Sequence, residues 1–145
     1  MSRRNIPVPG GVWETSRTGL RWVEVDGTTR VGFITLHPVT PADRLAPGVE
    51  TPPGHDLWVV SGLLVERPYR GQGHARALLE RGGAHLLTVA GDDVWLGLMT
   101  DNLATPPGRT RMNIRGAWDA FVAAYPGATT SGGLILLTPG LGLGA

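Results

Sequence analysis

The feature that most constrains the fold is an apolar run, Leu57–Val65, which leads into a glycine-rich turn and then a helical pattern. A nearly continuous apolar run of this length is typical of a strand that is covered on both faces of a sheet. From Ala75 to Val89 the apolar residues recur at the spacing of one helix face, and Gly91 provides a stop. The sequence therefore predicts a buried strand, a tight turn and a helix in direct succession.

Further strands and a second helix are predicted on both sides of this unit. Residues 20–26 and 30–36 have the alternation and the glycine turn of an antiparallel hairpin. After the first helix come a buried strand, an amphipathic helix and a last strand, over residues 94–99, 114–125 and 134–138. The order β-β-β-α-β-α-β predicts an α/β (α+β) fold with a mixed sheet and helices packed on its faces.

Length and composition predict a single domain over residues 1–145. A chain of 145 residues leaves no room for a second core. Hydrophobic residues make up 41% and charged residues 17%, which is too little charge for a disordered chain. The ends, residues 1–11 and 139–145, are predicted to be loose tails, and the Pro- and Gly-rich residues 38–54 a long loop.

The charge and the missing residue types exclude several classes of function. A formal net charge of +1 gives no broad positive field, which disfavours nucleic acid as a partner. The chain has no Cys and its four His show no paired spacing, so neither a disulfide nor a metal site is predicted. The absence of a signal core and of a membrane-length apolar run predicts a cytoplasmic protein without a membrane partner.

The turn between the buried strand and the helix suits a pyrophosphate. A pyrophosphate needs backbone N–H donors with no Cβ in the way, and the N-terminus of a helix adds partial positive charge. Gly71 and Gly73 supply the clearance, and Arg70 and Arg76 can add charge-assisted hydrogen bonds. A Walker loop is excluded because the chain has no Lys, and a dinucleotide fingerprint because its third small residue and its downstream acid are missing.

The turn resembles the cofactor motif of the GNAT superfamily of acetyl-CoA-dependent N-acetyltransferases, Arg/Gln-x-x-Gly-x-Gly/Ala. The chain has Arg70-x-x-Gly73-x-Ala75 at the matching place. Together with the order of elements, the resemblance covers residues 20–138. It implies a GNAT-like mixed, mostly antiparallel central sheet flanked by helices, with acetyl-CoA (coenzyme A) as cofactor and an amine as acceptor.

The resemblance also implies a set of cofactor-binding residues. In the family, the strand before the loop splays from its neighbour, and its freed backbone groups pair with the pantetheine arm; Gly62 would ease a bulge there. An Asn at the end of the next strand often touches the cofactor, although an Asn that only makes a turn is an equal alternative. The residues so implied are Leu63, Leu64, Val65, Arg70, Gly71, Gln72, Gly73, His74, Ala75, Arg76 and Asn102.

Acetyl transfer to an amine needs a group that takes the amine proton and a donor for the thioester oxygen. Asp56, before the buried strand, ranks first as the base, and Ser61, relaying through water, ranks second, whereas Glu24 is interpreted as an exposed strand acid. The family carries a Tyr on its last helix as general acid. Tyr125 lies two residues after the corresponding position, so an aromatic of the core or the surface is the alternative.

The chain departs from the family at its N-terminus, and its acceptor is left open. The family normally has two helices between its first two strands, whereas here no helical pattern precedes the hairpin, which predicts a shortened N-terminal region and an open acceptor side. The leading hypothesis is transfer to a primary amine by direct attack. The alternatives are a macromolecular acceptor (a protein terminus, or a DNA base as in phage DNA-modifying relatives) and a non-catalytic CoA-binding module. If the acceptor is a macromolecule, its phosphate could be bound by three arginines, Arg109, Arg111 and Arg115; otherwise these form a solvated face.

The last predicted strand suggests how the protein assembles. Its sequence, Leu134-Ile135-Leu136-Leu137, is apolar throughout and would form an unprotected edge if it ended the sheet. A homodimer is therefore predicted.

Overall fold

The structure, a computed structural model, describes residues 4–8, 10–16, 19–40, 56–91, 93–98 and 114–143, which form one sheet and two α-helices. The strands are β1 (Arg4–Val8), β2 (Gly11–Ser16), β3 (Gly19–Asp26), β4 (Thr29–Pro38), β5 (Leu57–Val65), β6 (Val94–Leu98), β7 (Thr130–Ser131) and β8 (Leu134–Leu137). The helices are α1 (His74–Ala90) and α2 (Ile114–Ala123), with short 3-10 helices at Arg67–Tyr69 and Pro139–Leu141.

The eight strands form a single mixed sheet in the order β1-β2-β3-β4-β5-β6-β8-β7. The described pairs are antiparallel except for β5 and β6, which run parallel. A parallel pair needs a crossover connection, and α1 lies between these two strands in the chain. The predicted mixed, mostly antiparallel sheet with helices is confirmed.

The main core lies between one face of the sheet and both helices. Buried residues of α1 and α2 join one cluster with the sheet: Leu78, Leu79 and Leu86 from α1, Trp118 and Phe121 from α2, and Trp22, Ile34, Leu36 and Val60 from the strands. A smaller cluster of Leu57, Val59, Trp95 and Leu134 covers the opposite face of β5, β6 and β8. The central strands are thus buried on both sides, as the apolar run of β5 predicts. No helix among the described residues is both long and apolar enough to cross a membrane.

The N-terminal region is more ordered than the sequence predicts. Residues 1–11 are predicted to be a loose tail, but Arg4–Val8 forms β1, which pairs antiparallel with β2. Strand β2 exists because Trp13 is buried, with its ring 4.9 Å from that of Trp22 and stacked 3.9 Å from that of His85. Trp22 lies opposite Trp13 on the neighbouring strand β3, whereas His85 comes from α1, far along the chain. Pro7 is tolerated in β1 because β1 lies at the edge of the described sheet.

The C-terminal region also differs from the prediction of a loose tail over residues 139–145. Pro139–Leu141 forms a 3-10 helix, and Leu141 and Leu143 pack against the main core. The segment is held by apolar contacts that its glycine-rich composition does not reveal.

Strand β8 is not the edge of the sheet. It pairs with β6 on one side and with the two-residue strand β7 on the other, where Thr130 faces Ile135 and Ser131 faces Leu134. The prediction that β8 forms an unprotected apolar edge is therefore wrong. The homodimer, which was predicted from that edge, stays a prediction.

Candidate functional site

Strand β5 separates from β6 partway along its length. The parallel pairing runs from Leu57, opposite Trp95, to Val60, opposite Leu98, where the described part of β6 ends. On its other side β5 stays paired with β4 as far as Val65. Among the described residues, no strand pairs with the β6-facing edge of β5 beyond Val60. On that edge, the backbone N–H and C=O groups of residues 61–65 have no described strand partner, and the Val65 carbonyl accepts a hydrogen bond from Arg70 Nε.

A bulge in β5 lies where the two strands part. Thr35 of β4 pairs with Gly62, but the next residue, Leu36, pairs with Val60, so Ser61 is the extra residue. The Ser61 hydroxyl donates a hydrogen bond of 3.3 Å to the Thr35 carbonyl. A bulge bends its strand and increases the local twist, which accounts for the divergence of β5 from β6. The bulge predicted from the position of Gly62 is confirmed.

The loop after β5 ends in two glycines that have left-handed backbone conformations. Gly71 has a φ of 78° and Gly73 a φ of 84°, and apart from the adjoining residues no atom of the described chain lies within 4 Å of the place where either Cβ would be. Helix α1 begins at His74 with Gly73 as its N-cap, and no side chain caps it. Because the first turn of a helix has no intrahelical partners for its N–H groups, these donors are available at the loop.

A cavity of about 410 Å³ lies in front of this loop. Its walls are the end of β5, the loop, the first turn of α1 and one face of α2. The predicted cofactor-binding residues that line it are Val65, Arg70, Gly71, Gly73, His74, Ala75 and Arg76. The structure thus brings most of the predicted motif together around one space large enough to receive part of a cofactor.

Three predicted cofactor-binding residues that the structure describes, Leu63, Leu64 and Gln72, are not among those that line the cavity. Leu63 is buried in the main core and Leu64 is half-buried, while the Gln72 amide donates to the Pro68 carbonyl at 3.5 Å. Asn102, Arg109 and Arg111 lie outside the described residues, as does most of the predicted loop 38–54.

Sequence reasoning missed three residues that line the cavity, Tyr69, Ala117 and Ala120. Tyr69 adjoins the motif, and its ring meets that of His74 edge-on at 5.9 Å. The two alanines lie three residues apart and therefore on one face of α2. The spacing of two small residues is a weak signal in the sequence, because only the packing of α2 against α1 places these alanines beside the loop.

The two arginines of the motif have different partners. Arg70 donates through Nε to the Val65 carbonyl at 2.8 Å, and its Nη1 is buried without a hydrogen-bond partner within the described part of the chain. Arg70 therefore holds the end of β5. The Arg76 guanidinium pairs with Glu80 one turn later, at 3.4 Å, and its side chain is 49% exposed. Arg76 is the arginine with more freedom to meet a ligand.

Glu24 anchors the start of α1 to the sheet. One of its carboxylate oxygens lies 3.3 Å from His74 Nδ1, and the other lies 3.8 Å from Arg81 Nε. The Arg81 guanidinium also lies over the Trp22 ring, 4.7 Å from its centre. Only 16% of the Glu24 side chain is exposed, so its interpretation as an exposed strand acid was wrong.

The two candidate bases lie at different places along β5. Asp56 is exposed just before the strand, where its carbonyl accepts a hydrogen bond from the Trp95 N–H at 2.8 Å. Ser61 lies in the bulge, where β5 leaves β6. Five residues of extended chain span about 16 Å, so the two side chains cannot serve the same reacting atom directly. Ser61 is the nearer of the two to the unpaired edge.

Tyr125 lies outside the lining of the cavity. Its hydroxyl donates a hydrogen bond to the Glu80 carboxylate, and its ring packs edge-on against Phe121 at 5.5 Å. Burial raises the pKa of Tyr125 to about 12, the hydrogen bond and charge of Glu80 act in the same direction, and the charge of Arg76 opposes them. A phenol so bound is a weak proton donor, which does not favour the role of general acid.

The raised pKa of Tyr125 can be tested by absorbance, because the chain has only one other tyrosine, Tyr69, and the Tyr125→Phe variant subtracts its signal. The stabilisation linked to Tyr125 is fully present below pH 10 and is lost as pH rises through about 12. We expect the tyrosinate absorbance of the parent minus that of Tyr125→Phe to titrate at a pH of about 12. A midpoint of this difference near the ordinary value of about 10 would contradict the described hydrogen bond.

The chain matches the model of the acetyltransferase (GNAT) family over residues 8–105. No curated protein sequence matches it significantly.

Three solved structures that the chain resembles are remote in sequence. Tetrahymena GCN5 is 16% identical, with a TM-score of 0.42 over 86% of this chain and 71% of that one. Arabidopsis thaliana NAA60 in complex with acetyl-CoA is 22% identical, with a TM-score of 0.41 over 56% and 53%. The ribosomal-protein-alanine N-acetyltransferase of Brucella melitensis biovar Abortus 2308 is 17% identical, with a TM-score of 0.40 over 69% and 71%. The chain thus spans about half the length of the Arabidopsis protein.

Proposed function

Because the chain belongs to the acetyltransferase (GNAT) family, we propose that it transfers the acetyl group of acetyl-CoA to a primary amine by direct attack in a ternary complex. Acetyl-CoA is the cofactor of the family. The observation that carries the proposal is the loop before α1, where Gly71 and Gly73 at positive φ leave the helix N-terminus open to a cavity of about 410 Å³.

The residues around the cavity fit the pyrophosphate of CoA. The N-terminus of α1 offers backbone N–H donors and the positive end of the helix dipole, which together favour an anion. The Arg76 side chain lines the same space and adds a positive charge. On the opposite wall, Ala117 and Ala120 have small side chains, so α2 leaves room beside the loop.

The unpaired edge of β5 fits the pantetheine arm. Pantetheine carries two amide groups in an extended chain, and such a chain can add to an open strand edge by backbone hydrogen bonding. Residues 61–65 lie beyond the last described pair with β6. The edge leads from the bulge towards the loop, so it supports a path for the arm that ends near Ser61.

When bound, acetyl-CoA supplies the acetyl group as a thioester that a neutral amine can attack. Backbone N–H groups on the open edge of β5 would stabilise the charge that develops on the thioester oxygen. Ser61 lies in the bulge beside that edge and would relay the proton of the attacking amine through a water to solvent, giving up its own hydroxyl proton as it receives the new one. Asp56 is the alternative base, and its exposure favours proton exchange with solvent over direct contact.

The proposal is tested by measuring CoA binding and then thiol release. Calorimetry with CoA should give one site per chain, and acetyl-CoA should raise the melting temperature because it binds the folded state. A screen of small amines, peptides and DNA should then release CoA with at least one acceptor. Because the chain has no Cys, a thiol reagent reports only the released CoA.

The outcomes of this screen separate the candidate functions. Absence of CoA binding by the folded protein would refute the proposal. Binding without turnover on any acceptor would indicate a non-catalytic CoA-binding module. Turnover with a peptide or DNA but with no small amine would indicate a macromolecular acceptor.

A further inference from the structure

The Glu80 carboxylate joins a side chain of α1 to a side chain just beyond the end of α2. Its Oε1 lies 3.4 Å from Arg76 Nε, one turn earlier on α1. Its Oε2 accepts the hydrogen bond from the Tyr125 hydroxyl, just beyond the end of α2. The Glu80 side chain is only 26% exposed. Tyr125, Glu80 and Arg76 therefore form a continuous network that ends at the wall of the cavity.

This network constrains an arginine that would otherwise move freely. An Arg–Glu pair one turn apart on an exposed helix is weak, because both long side chains lose freedom when they pair. The Tyr125 hydroxyl removes part of that loss by fixing the carboxylate in advance. The Tyr125 phenol is protonated through the neutral range, so its hydroxyl continues to donate. The same bond ties α2, which carries Ala117 and Ala120, to α1.

We propose that Tyr125 is a positioning residue for cofactor binding: through Glu80 it holds the Arg76 guanidinium at the cavity and keeps the two helical walls together. This inference rests on the proposed function, because it assigns the cavity to the pyrophosphate of CoA. It replaces the role of general acid that the family resemblance implies for Tyr125.

The test is a double-mutant cycle on CoA affinity, measured by calorimetry. Tyr125→Phe removes one hydroxyl and keeps the ring that packs on Phe121. We expect it to weaken CoA binding about three- to tenfold, the usual coupling within one polar network. In an Arg76→Gln background the same substitution should change the affinity less than about twofold. Glu80→Gln, which retains a side chain that can bond Tyr125 but loses the charge facing Arg76, should weaken binding as Tyr125→Phe does.

The alternatives predict different results. If Tyr125 were a general acid, its removal would lower kcat and leave the Kd of CoA unchanged. If it is a positioning residue, its removal raises the KM for acetyl-CoA and leaves kcat nearly unchanged. If Tyr125 only stabilised the fold, Tyr125→Phe would weaken CoA binding equally in the parent and in the Arg76→Gln background. Either of these results would overturn the inference while the parent protein still binds CoA. Failure of the parent protein to bind CoA would instead refute the proposed function.

Discussion

Replacement of Gly73 by valine is expected to weaken CoA binding on the order of 100-fold, equivalent to about 2.7 kcal/mol. Gly73 has a φ of 84°, a conformation in which a β-branched residue is strained, and its missing Cβ faces open space at the loop. A valine would move the backbone donors and occupy that space. Calorimetry should show the loss, and CoA at about ten times the parent's Kd should raise the melting temperature of the variant far less than that of the parent.

Gly27→Val is the matched control for this experiment. Gly27 also has a positive φ, 65°, and open space where its Cβ would be, but it lies in the turn between β3 and β4. Both variants should lose about 1–2 kcal/mol of unfolding free energy from the backbone strain. Only Gly73→Val should lose CoA affinity. If Gly73→Val binds CoA like the parent, the loop is not the pyrophosphate site. If both variants lose CoA affinity, the loss results from disturbed folding and not from the loop.

Replacement of Leu86 by alanine is expected to lower the free energy of unfolding by about 2–5 kcal/mol. Leu86 is 0% exposed on the core face of α1, where it belongs to the cluster that includes Trp22 and Ile34. Its removal leaves a cavity between the helix and the sheet that the surrounding structure can fill only in part. Since domains are commonly stable by only about 5–15 kcal/mol, urea denaturation should show a large shift of the midpoint.

Leu87→Ala provides the control with the same chemical change one position later. Leu87 is only half-buried, so its truncation removes less apolar surface from the core. We expect Leu87→Ala to lower the free energy of unfolding much less than Leu86→Ala does, and the change in helix propensity is similar in both variants. Equal losses for the two variants would mean that the described rotation of α1 against the sheet is wrong.

Elements with a strong local pattern were predicted from the sequence. The buried strand at Leu57–Val65 agrees with the structure at both ends, because a long apolar run bounded by polar residues suits a central strand and little else. Helix α1 and the hairpin of β3 and β4 agree within a few residues. Strands β1 and β2 were missed, because the burial of Trp13 in β2 depends on tertiary contacts, with Trp22 on β3 and with His85 on α1.

The sequence by itself determined the chemistry of the loop and its place between a strand and a helix, because glycine spacing and a helix N-terminus are local properties. Only the tertiary structure decided which residues face the cavity. It directed Arg70 to the end of β5 and left Arg76 at the cavity, and it brought Ala117 and Ala120 of α2 to the same wall. It also bonded Tyr125 to Glu80, forty-five positions away in the chain. Such pairings depend on how two helices pack on one sheet face, and neither periodicity nor a motif of a few residues encodes that packing.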